Sequence, residues 1–310
     1  MTELRQVSFV MPVLNEEKYL ETAVNSVLKQ QTPGLSELIL ALGPSNDKTN
    51  EIAQELANRH SNLRLVHSPT GLTSTSLNLA IAESRYEVII RVDAHSELPE
   101  GYALLAVKIL NDTGAANVGG RMLAKGTGSF QSAVAFGYNN RIGLGGGSYH
   151  VGGTAGVADS VYLGCYRKSV LVELGGFSET WVRAQDWELN QRIKKAGYQV
   201  WFDPRLEVGY YPRREWLALA KQFFKTGIWR GSLTRDDVAN SRFRYWIPPL
   251  LVLSTIWVFP LYLYLLAIAF YSAGQTALSW SVRLWLIVVL PTMHYSWGIG
   301  FWVGLIRGRK

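Results

Sequence analysis

The chain has 310 residues, 48% of them hydrophobic, and 31 Lys and Arg against 24 Asp and Glu give a formal net charge of +7. Its one cysteine, Cys165, excludes a disulfide framework and a cysteine-rich zinc site, and the abundance of Trp, Leu, Ile and Val excludes intrinsic disorder. Charged residues make up only 18%, against about 25% in soluble proteins, and the length points to roughly two domains.

In chain order, Val7–Val13 reads as a buried strand. A helix over Glu21–Gln30 follows, with Ala23, Val24, Val27 and Leu28 on one face. Apolar strands over Glu37–Leu42, Leu63–His67 and Val88–Asp93 then alternate with helices over Asp47–Asn58 and Ser74–Ser84. This alternation predicts βαβ units and a largely parallel sheet. Such sheets bind ligands at the carboxyl ends of their strands. Three of those ends carry polar groups: Pro12-Val13-Leu14-Asn15-Glu16-Glu17, Gly43-Pro44-Ser45-Asn46-Asp47-Lys48-Thr49 and Arg91-Val92-Asp93-Ala94-His95. None is followed by GxGxxG or GxxxxGK[ST], which argues against a dehydrogenase or a P-loop NTPase.

Farther along, Gly143-Leu144-Gly145-Gly146-Gly147 and Gly152-Gly153 bracket Tyr149 and His150 and predict a mobile loop. A helix begins at Gln185-Asp186-Trp187-Glu188-Leu189 and runs through Arg192 and Lys195. Arg205 to Arg244 holds nine basic residues against four acidic ones, interleaved with Trp216, Leu217, Leu219, Phe223 and Phe224. Beside an apolar tail, that pattern predicts an interfacial amphipathic segment on an anionic leaflet and argues against nucleic acid as a partner.

From Trp246 to Lys310 there is no Asp or Glu, and six of the eleven tryptophans lie there. Trp246–Tyr271 and Leu284–Ile306 are charge-free runs, each long enough to span the roughly 30 Å of hydrocarbon. Arg242 and Arg244 precede the first run, and Arg307, Arg309 and Lys310 follow the second. The positive-inside rule then predicts a multi-pass hairpin in the cell membrane, with Trp246, Trp280 and Trp302 near the interfaces and the large N-terminal domain cytoplasmic. Pro248, Pro249, Pro260 and Pro291 are expected to kink or break these helices, so the second run could re-enter rather than span.

Three segments in this order and spacing, Val10 to Glu17, Arg91 to His95 and Gln185 to Leu189, followed by a hydrophobic hairpin, resemble the family 2 glycosyltransferases of GT-A fold over nearly the whole chain. They are similar to that family's first strand and turn, its Asp-x-Asp segment and its (Glu/Thr)-Asp-x-(Asp/Glu)-Leu segment. Arg91 to His95 together with Met293-His294 resemble the succinoglycan-type membrane-anchored subgroup. The resemblance implies an α/β, Rossmann-like GT-A domain over 1–204, a basic interfacial segment over 205–245 and a transmembrane hairpin over 246–310. It implies inverting transfer of a single sugar from a nucleotide-diphosphate sugar to a membrane-associated, polyprenyl-linked glycan, in cell-surface polysaccharide or glycolipid synthesis.

By the same resemblance, Asp186 is the general base. Asp93 faces the donor diphosphate and a divalent cation, Mg2+ or Mn2+, with His95 as a second metal ligand where the family has Asp. Pro12, Asn15, Glu16 and Asp47 are further donor contacts, and Asp47 reads equally as a helix N-cap. Trp187, Lys225 and Arg230 are assigned to the acceptor or its diphosphate. The chain departs from the family pattern at Ala41 and Leu42, where a base-binding Asp is usual, and at Gln185, where Glu or Thr is usual. Those departures keep open a catalytically silent membrane scaffold of the same fold; transfer to polyprenyl phosphate itself is a second alternative.

Overall fold

The computed structural model describes residues 3–145, 147–181, 184–236 and 243–308. Gly146, Arg242, Arg309 and Lys310, which entered the sequence reading, lie outside the described residues. In chain order the first elements are β1 (Val7–Val13), α1 (Leu20–Leu28), β2 (Ser36–Leu42), α2 (Thr49–Arg59), β3 (Leu63–His67), α3 (Thr73–Glu83) and β4 (Val88–Arg91). Then come α4 (Tyr102–Thr113), β5 (Asn117–Ala124), α5 (Ser129–Asn139), α6 (Arg141–Leu144), α7 (Ser148–Val151), β6 (Gly156–Val157) and β7 (Tyr162–Arg167). The chain continues through α8 (Lys168–Glu173), α9 (Gln185–Lys195), β8 (Val200–Tyr210), α10 (Trp216–Asp236), α11 (Ile247–Ser254), α12 (Val258–Ala273) and α13 (Trp280–Arg307).

Among the described residues, eight strands form one sheet in the order β3-β2-β1-β4-β7-β5-β8-β6. β3, β2, β1 and β4 are parallel, as the alternation of strands and helices predicts, whereas β7 runs antiparallel to both β4 and β5. Apart from the edge strand β3, the parallel strands are buried on both faces, so they are continuous apolar runs such as Phe9-Val10-Met11 and Leu38-Ile39-Leu40. Their polar groups are confined to the ends.

The chain divides into two compact units, residues 1–123 with 152–209 and residues 124–151 with 210–310. The predicted boundary at 204/205 falls inside β8, whose Leu206 and Val208 are buried in the core. Alternation along that strand outweighs its basic composition.

In the second unit, α10 and α13 meet through glycines. A Cβ at Gly227 or Gly231 would collide with the carbonyl oxygens of Trp297 or Phe301, and one at Gly300 or Gly304 with those of Phe224 or Ile228. Each helix thus carries a small-xxx-small pair that lets the two backbones touch. Gly231→Leu should therefore separate the pair and lower the melting temperature of the detergent-solubilised chain by about 5 °C or more. Gly274→Ala, where a Cβ finds its nearest neighbours at 3.5 Å, should leave it unchanged in the same thermal melt.

Of the two spans expected, length and composition support one. Among the described residues, one helix, α13, is long and apolar enough to cross a membrane. The first apolar run is broken into α11 of 8 residues and α12 of 16. Pro248 and Pro249 sit in the first turn of α11 and Pro260 in the first turn of α12, where proline's missing N–H costs no hydrogen bond. These prolines start helices instead of kinking one. Pro291 alone lies inside a helix, and α13 continues past it. Trp246 and Trp302 pack on Phe301, while Trp280 stays 71% exposed.

Candidate active site

The loops after β1 and β2 are laced together. Asn15 adopts the left-handed conformation (φ 56°), which Asn tolerates better than most residues. Its N–H donates to Ser45 Oγ at 3.0 Å, and its Oδ1 accepts from the Asn46 N–H at 2.8 Å. The Glu16 N–H donates to Thr49 Oγ1 at 2.7 Å. Asp47 accepts from the Thr49 N–H, the first of α2, at 3.0 Å and from the Glu17 N–H at 3.3 Å. Hydrogen bonding from Thr49, through its side chain first, holds the Asp47 carboxyl below its ordinary range. Asp47 thus stands one residue before the N-cap position, Lys48, and satisfies the first free N–H of α2. Pro12 stands in β1 opposite Ala41 of β2, and Ala41 and Leu42 are buried.

The end of β4 holds the unusual feature. Arg91 is 7% exposed, and buried arginines require partners. Its Nη2 donates to Asp93 Oδ1 at 2.9 Å, and its Nη1 donates to Asp186 Oδ1. One guanidinium therefore joins the strand-end carboxylate to the carboxylate in the first turn of α9. Burial alone would lower the pKa of Arg91. The attraction of Asp186, then of Asp93, overcomes it and leaves the group raised and cationic.

A buried polar chain fixes α9 next to this group. Tyr166 is fully buried, and burial, followed by the nearby Asp186 charge, pushes its phenol up, so it stays neutral. Its partner Asn117 donates through Nδ2 to Asn190 Oδ1 at 2.7 Å, and Asn190 donates to Ser160 Oγ at 3.0 Å. Asn190 lies one turn beyond Asp186 on α9, so the register of that turn is pinned. Ala184, at the N-cap, has φ 56°. Glu188 forms a two-point pair with Arg192, at 2.6 and 2.7 Å, and is engaged there. The Trp187 ring lies 6.1 Å from that of Trp181.

His95 Nδ1 and Glu16 Oε1 are 2.8 Å apart, so these two predicted ligands bond each other. Lys225 and Arg230 belong to the second unit, on α10; Lys225 is exposed and the Arg230 guanidinium lies 4.1 Å above the Tyr245 ring. Among the described residues, no three His, Cys, Asp or Glu side chains gather as a metal cage. A hard divalent ion that keeps water and substrate phosphates in its shell needs only one or two protein carboxylates. Asp93, at the strand end with one oxygen engaged by Arg91, fits that minimal role.

Arg91 was invisible as a site residue in the sequence, although a guanidinium closing the apolar run Val88-Ile89-Ile90 is itself a signal. Asn117, Tyr166 and Asn190 gave no signal, because their partners are distant in the chain. Together the geometry offers two carboxylates held by one buried guanidinium, with Asp93 placed to share a cation.

Comparison with known proteins gives a consistent result. The family model for glycosyl transferase family 2 matches residues 8–167. The chain is 29% identical to the succinoglycan biosynthesis protein ExoA of Rhizobium meliloti (strain 1021), over 97% of this chain and 95% of that one. It is 23% identical to the dolichyl N-acetyl-alpha-D-glucosaminyl phosphate 3-beta-D-2,3-diacetamido-2,3-dideoxy-beta-D-glucuronosyltransferase of Methanococcus voltae, over 98% of both chains. Among solved structures, a mannosyltransferase of Pyrobaculum calidifontis in complex with GDP-Man and Mn2+ superposes with a TM-score of 0.63 at 17% identity, covering 99% of this chain and 88% of that one. The mostly parallel GT-A sheet expected from the sequence is the fold observed.

Proposed function

The chain belongs to glycosyl transferase family 2 and is a glycosyltransferase, and from that premise we propose that it transfers one sugar, with inversion, from a nucleotide-diphosphate sugar to a lipid-linked glycan. The observation that carries this reading is the grip of Arg91 on both Asp93 and Asp186. It brings together the carboxylate assigned to the diphosphate side and the one assigned to the acceptor side.

In the proposed reaction, Asp186 takes the proton of the acceptor hydroxyl as that oxygen attacks the anomeric carbon. The new C–O bond forms on the face opposite the departing nucleoside diphosphate, whose bond to carbon breaks with its electron pair. Arg91 holds Asp186 by one oxygen, which fixes the carboxylate's direction before the acceptor arrives. Asp93 is the residue that would hold Mg2+ or Mn2+, and the ion when bound would offset the charge of the leaving diphosphate. Trp187 offers an aromatic face for a sugar ring.

Two features support a lipid-linked acceptor. The apolar side chains around α11 and α12 stand open, with Ile256, Trp257, Val258 and Phe259 each at least 70% exposed. Beside the spanning-length α13 they form a large apolar surface suited to lipid rather than water. The name of the Methanococcus voltae relative also carries a lipid-linked sugar, dolichyl N-acetyl-alpha-D-glucosaminyl phosphate.

The test is incubation of the purified full chain with native membrane lipids and a panel of nucleotide sugars, read by mass spectrometry. The expected product is a lipid-linked glycan heavier by one sugar, formed together with one nucleoside diphosphate. Addition of sugar to water-soluble glycans alone would overturn the lipid acceptor, and absence of any transfer would overturn the reading as a whole.

A further inference from the structure

α13 has the length and composition of a membrane span, but its neighbours within the second unit do not suit one. α10 and α13 lie side by side and run in the same direction. Gly227 meets Trp297 and Gly231 meets Phe301, while Phe224 meets Gly300 and Ile228 meets Gly304, so the two sequences advance together. At one end Trp216 Nε1 donates to Thr292 Oγ1 at 2.8 Å, and at the other Arg235 Nη1 donates to the Ile306 carbonyl at 2.9 Å. α10 therefore accompanies α13 from Thr292 to Ile306. Between those ends α10 exposes Lys221 and Lys225. Lys225 stands about 14 Å or more from each end of α10, too far for its side chain to reach an interface if the pair crossed a bilayer. Exposed ammonium groups at that depth are costly.

The rest of α13, Trp280 to Pro291, rises about 18 Å, against roughly 30 Å of hydrocarbon. That half lies on α5: Ser129 Oγ donates to Ser281 Oγ at 2.9 Å, and the rings of Phe130 and Trp285 meet edge to face at 5.2 Å. α11 and α12, with 8 and 16 residues, rise only about 12 and 24 Å. Nor do they join into one span. Ile256 and Trp257, in the break between them, are 75% and 74% exposed, and irregular backbone open to lipid does not occur within the hydrocarbon.

We propose that the chain is monotopic: α11, α12 and the outer stripe of α13 sink into a single leaflet, and no helix crosses the bilayer. The stripe is Leu284, Val288 and Ile299, which stay exposed although the opposite side of the helix is buried. The apolar elbow from Ile256 to Phe259 adds to it. The occupant of this surface is bilayer hydrocarbon, because the lysines of the adjoining α10 match anionic headgroups. The proposal concerns the anchor alone and holds for either a lipid-linked or a water-soluble acceptor.

Three exposed positions of the second unit read the topology: Arg214→Cys before α10, Ala277→Cys between α12 and α13, and Arg307→Cys at the end of α13. The native Cys165 is fully buried and stays unlabelled. Each full-length variant is expressed in bacterial cells, and right-side-out and inverted membrane vesicles are treated with a membrane-impermeant maleimide. All three variants should stay with the membranes through a high-salt wash and react at least tenfold faster from one and the same face. Should Ala277→Cys fail to fold, Thr276→Cys reads the same loop. Labelling of Ala277→Cys and Arg307→Cys from opposite faces would show that α13 crosses and overturn the proposal. Labelling of both from the face opposite to Arg214→Cys would overturn it equally, by placing a crossing between α10 and α12. A variant silent until detergent is added would do the same, by placing its segment inside the bilayer. Release into the salt wash as a dimer would give the apolar surface to a second copy instead of lipid. None of these outcomes bears on sugar transfer, which the product assay above tests separately.

Discussion

Asp186→Asn should lower the rate of sugar transfer by about 10²- to 10⁴-fold, the span typical for losing a general base. The substitution is nearly isosteric. The Asn carbonyl can still accept from Arg91 Nη1, so the turn that opens α9 keeps its anchor, and the Asn190 to Ser160 bond beyond it is untouched. What disappears is the capacity to take a proton from the acceptor hydroxyl. The loss should therefore fall on kcat, with donor affinity and melting temperature close to those of the native chain. Single-turnover assays with the best donor found in the panel, paired with a donor-binding titration, separate these quantities. Retention of more than a tenth of the native rate would show that Asp186 is not the base.

How much of this site could be read beforehand differs sharply from one side of the sheet to the other. β1 to β4 and the helices between them were legible to within about two residues. A parallel strand buried on both faces is an uninterrupted apolar run with polar residues only at its ends. β5 was not legible. Gly119 and Gly120 interrupt its apolar run, yet both are there because backbone approaches too closely for a side chain: a Cβ on Gly119 would strike the Tyr162 carbonyl, and one on Gly120 that of Leu206. β8 was hidden by Pro204 and by charges at Asp203, Arg205 and Glu207, although Asp203 is satisfied locally by Arg205 at 2.8 Å.

The C-terminal region shows the same limit. Counting charge-free residues found the apolar helices and the prolines announced a break, but hydropathy did not show that Pro248, Pro249 and Pro260 would each stand in the first turn of a helix. The basic composition of 205–245 likewise concealed the pair of glycines through which α10 lies against α13. At the site itself, Asp93 and Asp186 were legible as short motifs. Their common partner was not, since a motif describes neighbours in the chain and Arg91 reaches a residue 95 positions away.

Arg91→Met should cost at least about a hundredfold in transfer rate, and its effect on the pH profile distinguishes it from a simple packing defect. Methionine matches the length of the arginine stem but leaves Asp93 and Asp186 without the cation they share. Two carboxylates brought together without a counter-charge resist ionising at the same pH. The proposed base works only when ionised, so the acidic limb of the pH–rate profile should move to higher pH, by about one unit or more. Arg91→Lys keeps a charge but presents one ammonium in place of a fork, and cannot hold both carboxylates at the native spacing. It should restore much of the limb's position while recovering only part of the rate. Asp186→Asn in the Arg91→Met background should cost less than it does in the native chain, because a base that has lost its anchor has less to lose. A Met variant with a reduced rate but an unmoved pH profile would make Arg91 a structural brace, and additive losses in the double variant would place it outside the proton-transfer step.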